Sequence, residues 1–498
     1  MTTSQKFDPT PEQQAVLEAF ATGHDLVIEA GAGTGKTATL QLIAENTDRQ
    51  GTYVVYNKAA QMDALDRFPK HPNSTKDKPK AYPVDCRTAH SLAYGGMMRM
   101  PNGREITRRA HDRKSVWSRE LVKPLGIPAG FEDGDQFIPD EVIASAAVEA
   151  VAKYAQSADD KITAWHVQPV DGVEDQDSFK RFVVPFAEKV WADVQKPNGV
   201  CKVTPDHYLK MWALTKPRIK GDFILLDEAQ DTNAVLLKVI EDQPVQRVIV
   251  GDRCQQLYAW RGAVNAMTTF TADQNLVLSQ SFRFGQAVAD NANKFLALLD
   301  TPLSLKGFDQ IDSKIETLID ADAILCRTNA TVIAEAIAAQ ARGRTAYIVG
   351  GTDEIRKFAE GARDLQEGRK ARSPELAIFK SWKEVQKYAA SPEGTDMRVS
   401  VKLVDEYGVD AILQVCDNCK YIKESQADVV VSTAHKSKGR EWNRVRIAED
   451  FKAPEDNITP SHADLCLMYV AVTRAKLVLD PGALSWINNY AAAAPVAA

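Results

Sequence analysis

The chain has 498 residues, of which 44% are hydrophobic and 26% charged, and its formal net charge is −6. This is the composition of an ordinary globular chain with room for roughly two to four domains. It argues against a nonspecific nucleic-acid coat while leaving room for a local basic channel. No apolar run is long enough to span a bilayer. The first residues lack a signal-peptide h-region, and seven scattered cysteines fit a reducing cytosol.

Thr10-Pro11-Glu12-Gln13-Gln14 opens a predicted amphipathic helix, with Val16, Leu17 and Phe20 at helical spacing. Gln13 reads either as a solvated helix residue or as a carboxamide able to pair with adenine. Leu26-Val27-Ile28 predicts a short buried strand, and residues 38–44 predict a helix. Between them lies Ala30-Gly31-Ala32-Gly33-Thr34-Gly35-Lys36-Thr37. A strand, a glycine-rich turn and Gly-Lys-Thr opening a helix form a phosphate-binding arrangement. Its backbone N–H groups curl around the anion, and the helix N-terminus adds the positive end of its dipole. Lys36 is placed to reach the β- and γ-phosphates, and the Thr37 hydroxyl to ligate Mg²⁺. The strict pattern has glycine six residues before the lysine, where this chain has Ala30.

Residues 52–56 predict a second buried strand, ending in Asn57-Lys58. Residues that leave the carboxyl end of a parallel strand sit where ligands bind. The basic, proline-bearing stretch 70–80 reads first as a solvated excursion. Thr88-Ala89-His90-Ser91 begins another helix, and residues 95–179 turn to helical periodicity with polar loops. Within them Arg104, Arg108, Arg109, Arg113, Lys114 and Arg119 surround Trp117. That pattern suits phosphate contact with base stacking and equally a solvated helix face.

Phe223-Ile224-Leu225-Leu226 is a strand without polar interruption, running into Asp227-Glu228-Ala229-Gln230-Asp231. Adjacent carboxylates at the end of a buried strand are costly unless they act. Asp227 would hold Mg²⁺ and Glu228 would deprotonate the attacking water. Together with Lys36 and Thr37 they make a complete phosphoryl-transfer set. Arg247-Val248-Ile249-Val250 is a further strand, leading to Gly251-Asp252-Arg253-Cys254-Gln255-Gln256-Leu257-Tyr258-Ala259-Trp260-Arg261-Gly262-Ala263. Gln255 is a candidate sensor of the γ-phosphate. Tyr258, Trp260 and Arg261 offer stacking faces and a cation, with a core position the plain alternative for Trp260.

Leu276-Val277-Leu278 leads to Gln280-Ser281-Phe282-Arg283, and residues 323–327 start a second set of strands and helices. Residues 344–428 read as helical and charged, with breaks at Pro374 and Pro392. Cys416 and Cys419 form a lone C-x-x-C without two further ligands at matching spacing, so a metal is not expected. Residues 429–433 are a strand, followed by Ala434-His435-Lys436-Ser437-Lys438-Gly439-Arg440-Glu441-Trp442. Residues 467–476 form an apolar helix with Arg474 near its end, and 491–498 is expected to be a frayed, disordered tail.

In order and wording these motifs resemble the superfamily 1 DNA helicases of the UvrD/Rep type, and most of all the F-box DNA helicase branch and its phage relatives. The resemblance runs from Thr10 to Lys476 and rests on AGAGTGKT, DEAQD, GDRCQQLYAWRGA, STAHKSKGREW and YVAVTRAK. It implies an α/β P-loop NTPase fold of two RecA-like parallel-sheet domains with mainly helical insertions and ATP between them. The implied segments are 1–94 and 180–270 for the first domain, with insertion 95–179. For the second they are 271–343 and 429–490, with a short insertion 344–428.

The resemblance also implies roles. Ala30 in the leading loop position is common in this family. Residues Ala30 to Thr37 would cradle the phosphates, Gln13 would read adenine and Phe282 would stack on it. Arg283 and Arg474 would be arginine fingers, and Glu441 would meet the ribose. Asn57, His90, Tyr258, Trp260, Arg261 and His435 would line a single-strand track. Tyr56 is a less regular match, since the family's aromatic often falls where this chain has Val55. Ala38, Leu465 and Cys466 depart from basic residues common elsewhere in the family, which bears on details of nucleotide contact.

The implied activity is an ATP- and Mg²⁺-dependent DNA helicase moving 3′ to 5′ on single-stranded DNA, in repair, recombination or replication. Single-stranded DNA and single/double-strand junctions would be its partners. A monomer is expected, in the cytoplasm, at the nucleoid or in a host cytoplasm for a phage-encoded chain. A translocase that strips proteins with little unwinding, and an RNA helicase, stay open. No F-box precedes Thr10, so coupling to a ubiquitin ligase is not expected.

Overall fold

The computed structural model describes residues 8–55, 58–75, 80–112, 116–134, 136–170, 173–257, 264–299, 301–373, 375–391, 397–454 and 459–490. The chain forms two compact units, residues 1–30 with 35–278, and residues 31–34 with 279–498.

The first unit opens with α1 (Pro11–Ala21), β1 (Leu26–Ala30), α2 (Lys36–Glu45), β2 (Gly51–Val55), α3 (Lys58–Arg67), β3 (Val84–Thr88) and α4 (Ala89–Met97). A helical region follows, with α5 (Gly103–Ala110), α6 (Ser118–Leu125), α7 (Asp140–Gln156), α8 (Gln176–Val194) and α9 (Pro205–Leu214). It includes a two-stranded hairpin, β4 (Gly130–Asp133) with β5 (Gln136–Pro139). The chain then returns to the sheet through β6 (Phe223–Leu226), α10 (Ala234–Glu241), β7 (Gln246–Gly251), α11 (Ala266–Thr269) and β8 (Gln274–Leu278). The sheet order is β3-β2-β6-β7-β1-β8, and every neighbouring pair is parallel. Strands β1, β2 and β6 are buried along their whole length, which is why they read as near-continuous apolar runs.

Two expected boundaries of the first unit move. Residues 274–278 belong to the first sheet, because β8 pairs with β1 from Leu26↔Gln274 to Ala30↔Leu278. A division at 270/271 would strip the sheet of its edge. The helical insertion also runs past residue 179. Helix α8 crosses that point and buries Phe179, Val183 and Ala187 in the same core as Ala144, Ala147 and Val151 of α7. Alanines on α7 let the two helices approach closely, and burying these apolar faces stabilises the layer by about 25 cal/mol per Å² removed from water.

In the second unit, α12 (Gln286–Leu296), β9 (Lys314–Ile315), β10 (Ala323–Cys326), α13 (Asn329–Ala341) and β11 (Ala346–Ile348) come first. Then come α14 (Asp353–Gln366), α15 (Trp382–Ala390), α16 (Arg398–Cys419), β12 (Val429–Thr433), β13 (Trp442–Ile447), α17 (His462–Val472) and β14 (Ala475–Asp480). Its sheet is again all parallel, in the order β11-β12-β10-β13-β14-β9. Strand β11 falls inside the expected insertion 344–428 but pairs with β12, so the helical excursion is α14 to α16 alone. Helix α16 is broken at Gly408, whose φ of 75° lies in the left-handed region that glycine tolerates. Among the described residues no helix is long and apolar enough to cross a membrane.

Candidate nucleotide and single-strand sites

In the first unit the chemistry collects at strand carboxyl ends. Gly35, in the left-handed conformation at φ 79°, hands the loop to α2 without a side-chain cap, so the first amides of the helix are left for an anion. Lys36 Nζ donates to the Ala30 carbonyl at 3.1 Å, which folds the lysine back along the loop. Thr37 is half-buried in the first turn of α2.

Gln13 is not the solvated residue of its simpler reading. It is 6% exposed. Its Oε1 accepts from the Thr10 amide and its own amide donates to Thr10 Oγ1, each at 3.1 Å, a reciprocal cap that starts α1. Its Nε2 donates to Thr39 Oγ1 of α2 at 3.1 Å.

Asp227 ends β6 and is buried. Its Oδ2 accepts from the Tyr53 hydroxyl at 2.8 Å and its Oδ1 from the Glu228 amide at 2.8 Å. Burial and then the neighbouring Glu228 charge push its carboxyl up to about 6, against the hydrogen bonds from Tyr53 and the Glu228 amide and the charge of Lys36. Glu228 is half-buried and sits at φ 51°, a left-handed conformation costly for a residue with a side chain. Its carboxylate accepts from Gln230 Nε2, and Gln230 Oε1 takes the Asp252 amide at 3.1 Å, tying the end of β6 to the end of β7. Gln255 is buried, its Nε2 on Asp252 Oδ2 at 2.5 Å. Glu29 of β1 is also buried and binds Arg253 at 2.6 Å; its carboxyl is raised by burial and by Asp252.

Tyr53, Gln230 and Glu29 do not stand out in the sequence, although a carboxylate inside the otherwise apolar β1 is a visible signal. The donors Thr37 and Asp227 are hard oxygens, the set that suits Mg²⁺ held by few protein ligands and by substrate phosphates. Among the described residues no group of three or more His, Cys, Asp or Glu could hold a metal ion by itself.

His90 opens α4, its Nε2 2.8 Å from Asp206 Oδ1, while Gln156 Nε2 donates to Asp206 Oδ2 at 3.1 Å. Burial is the largest single influence on the Asp206 carboxyl and raises it, but the His90 contact, the Gln156 hydrogen bond and the neighbouring His207 together hold it below its ordinary range. Asn57, Tyr258, Trp260 and Arg261, with Tyr56, lie outside the described residues.

In the second unit Arg283 Nε binds Glu441 Oε2 at 2.7 Å, and its Nη1 donates to the Thr473 carbonyl at 3.2 Å. Glu441 also meets Lys476 at 3.4 Å. Its carboxyl feels burial first, yet Arg283 and Lys476 bring it below the usual value. Phe282 is 40% exposed, with its ring 5.5 Å from Phe308. Arg474 is buried in the turn between α17 and β14. Its guanidinium donates to the carbonyls of Val470 (2.9 Å) and Arg440 (3.3 Å) and to Thr473 Oγ1 (3.0 Å).

Residues 31–34 pack in this same unit. The Ala32 amide donates to the Tyr469 hydroxyl at 3.1 Å, and the Phe282 amide donates to the Gly33 carbonyl at 2.8 Å. Thr34 Oγ1 closes on the Gly31 carbonyl at 2.9 Å, and Gly33 holds φ 73°. His435 is half-buried after β12; burial and then Arg327 lower its pKa. Cys416 and Cys419 are buried, both thiols raised chiefly by burial, with Cys419 accepting from Gln340.

Two all-parallel six-stranded sheets flanked by helices, with a glycine loop after one strand and paired carboxylates after another, define a P-loop NTPase of two RecA-like domains. The UvrD/REP helicase N-terminal domain family matches residues 9–275, and the chain belongs to that family. F-box DNA helicase protein 1 of Schizosaccharomyces pombe is 28% identical over 509 aligned positions, covering 94% of this chain and 56% of the relative. F-box DNA helicase 1 of Gallus gallus is 28% identical over 523 positions, covering 94% and 48%. This chain thus spans about half the length of these relatives. A probable DNA helicase II homolog of Mycoplasma capricolum is 34% identical over 91 positions, 17% of this chain and 13% of the relative. A solved arterivirus nonstructural protein 10 helicase in complex with DNA covers 96% of this chain and 64% of its own at 10% identity. Its TM-score of 0.35 is too low to bear on the reading.

Proposed function

We propose that this chain is an ATP-driven motor on single-stranded DNA that unwinds duplexes, moving 3′ to 5′. The observation that carries the reading is the buried Asp227 with the half-buried Glu228 beside it and the Lys36 charge acting on Asp227, in a chain of this family. The polarity rests on the family motifs alone. Lys36 and the loop amides bind the β- and γ-phosphates of ATP. Thr37 and Asp227 would hold Mg²⁺, which when bound neutralises phosphate charge. Glu228, aimed by Gln230, accepts a proton from water as the water oxygen attacks the γ-phosphorus. The bond to the β-phosphate oxygen breaks, and ADP and phosphate leave. Gln255 is proposed as the phosphate sensor, Gln13 and Phe282 as adenine contacts and Glu441 as a ribose contact. Arg283 and Arg474 are proposed as cations whose loss slows hydrolysis. Asn57, His90, Tyr258, Trp260, Arg261 and His435 are proposed to hold the strand.

A second reading, a translocase that clears proteins and unwinds poorly, is favoured by the small helical excursion of the second unit, α14 to α16. The deciding experiment is strand separation on 3′-tailed, 5′-tailed and blunt DNA duplexes, with ribo-tailed duplexes alongside. Unwinding of the 3′-tailed DNA substrate alone is the expected result. ATP consumption on single strands without separation selects the translocase, preference for the ribo-tail selects an RNA motor, and no DNA-stimulated hydrolysis overturns both readings.

A further inference from the structure

The basic run is open to two interpretations from sequence; Arg113 and Lys114 lie outside the described residues, and the arginines of α5 can be told apart. Arg109 turns inward, donating to the carbonyls of Lys196 and Cys201, and is structural. Arg104 and Arg108 stay exposed on α5. Beside α5 lies α4, where His90 and Tyr94, with Met98 at the C-cap just beyond the helix, recur at four-residue intervals, a stripe advancing about 6 Å per step. Tyr94 is 40% and Met98 36% exposed. The rings form a chain: His90 to the buried Tyr208 at 6.1 Å, Tyr208 to Tyr94 at 6.5 Å, and Tyr94 to the exposed His111 at 6.4 Å.

Two adjacent glycines differ in what they permit. A Cβ on Gly96 would collide with Trp212, so that glycine serves packing. A Cβ on Gly95 would meet nothing within 4 Å, so α4 is open at the position next to the half-exposed Tyr94. A large ring held at the surface, an open position next to it and exposed guanidinium groups nearby are the ingredients of base stacking with phosphate contact. Glu105 is the exposed acid on α5, outnumbered by the two arginines.

We propose that Tyr94 and His111 continue the strand track from His90 across α4 and α5, with Arg104 and Arg108 on the phosphates and Asp206 as the residue that positions His90. This rests on the reading of the chain as a single-strand DNA motor. The test uses the full chain and an oligo-dT carrying 5-iododeoxyuridine at successive positions. Photocrosslinks are expected in the tryptic peptide 88–99. Tyr94→Ala is expected to weaken oligo-dT binding on the order of tenfold, Tyr94→Phe to stay within about twofold, and the melting temperature to hold in both. Arg104→Ala/Arg108→Ala is expected to flatten the log Kd against log salt slope by about 0.7 for each phosphate that is no longer neutralised. Wild-type oligo-dT binding with no crosslink in 88–99 and an unchanged Tyr94→Ala overturns this inference alone. A chain that binds no single-stranded DNA overturns the motor reading itself.

Discussion

The two sheets share an architecture and differ in the charge they present. Both are six-stranded and wholly parallel. In the first, strands end on acids: Asp227 and Glu228 after β6, Asp252 after β7, with Glu29 buried in β1. In the second, β10 is followed by Arg327 and β12 by His435 and Lys436, while Arg474 immediately precedes β14. Acids occur here too, with Glu449 and Asp450 after β13 and Asp480 ending β14, but Asp450 accepts from the amides of Arg327 and Thr328 at 2.9 Å and Asp480 from those of Leu318 and Gly482 at 2.9 and 3.1 Å. One sheet therefore suits a metal and a proton acceptor, the other suits anions. The same scaffold does either, and the residues leaving the strands decide which.

The largest expected effect tests whether both halves serve one reaction. Glu228→Gln and Arg283→Ala should each slow DNA-stimulated phosphate release on the order of 10³-fold. If only the acid variant is impaired, the cations of the second sheet have another task. Arg474 is a poorer probe, because its side chain is fully buried and its removal would also leave a cavity between α17 and β14.

A smaller effect asks whether the halves respond alike to acid. His207, on α9, is buried; its Nδ1 accepts from the Thr204 amide, and burial lowers its pKa to about 4. The neutral ring is the native form. Its stabilising contribution is therefore complete above the unfolded value of about 6.5 and is lost as pH falls from there towards 4. At pH 5 the loss is on the order of 2 kcal/mol. Melting the full chain between pH 7 and 5 should show the first unit weakening, and His207→Asn should remove most of that slope. An unchanged slope would assign the acid sensitivity elsewhere.

The smallest effect concerns how the acidic end is held. Tyr53→Phe removes the hydroxyl on Asp227 and should raise the Mg²⁺ concentration for half-maximal hydrolysis by about tenfold, with little change at saturation. Equal loss at all Mg²⁺ concentrations would mean that Tyr53 serves packing instead.

What is legible in the sequence is what lies contiguously along it. The phosphate loop and the Asp227–Glu228 pair each occupy a few consecutive residues between recognisable elements, and the buried strands announce themselves as apolar runs. Tyr53 is not legible, because its role comes from β2 lying beside β6, with Tyr53 paired to Leu225. Arg109 is indistinguishable from Arg108 as a letter, since only the packed fold decides which guanidinium turns in. The 270/271 boundary fails for a related reason. A short strand ahead of a motif carries no local mark of which sheet it will join, and the pairing of β8 with β1 is settled some 250 residues away in sequence.

The reciprocal cap at Thr10 and Gln13 has a kinetic side. One carboxamide both fastens the first turn of α1 and grips α2 through Thr39. A base that took over those hydrogen bonds would unlatch the beginning of the helix as it bound. Arrival and departure of the nucleotide would then be written into how fast the amides of Thr10, Gln13 and Gln14 trade their hydrogens with water. A stretch far in sequence from Asp227 and Glu228, the carboxylates proposed to act on the phosphate, would keep time for the cycle.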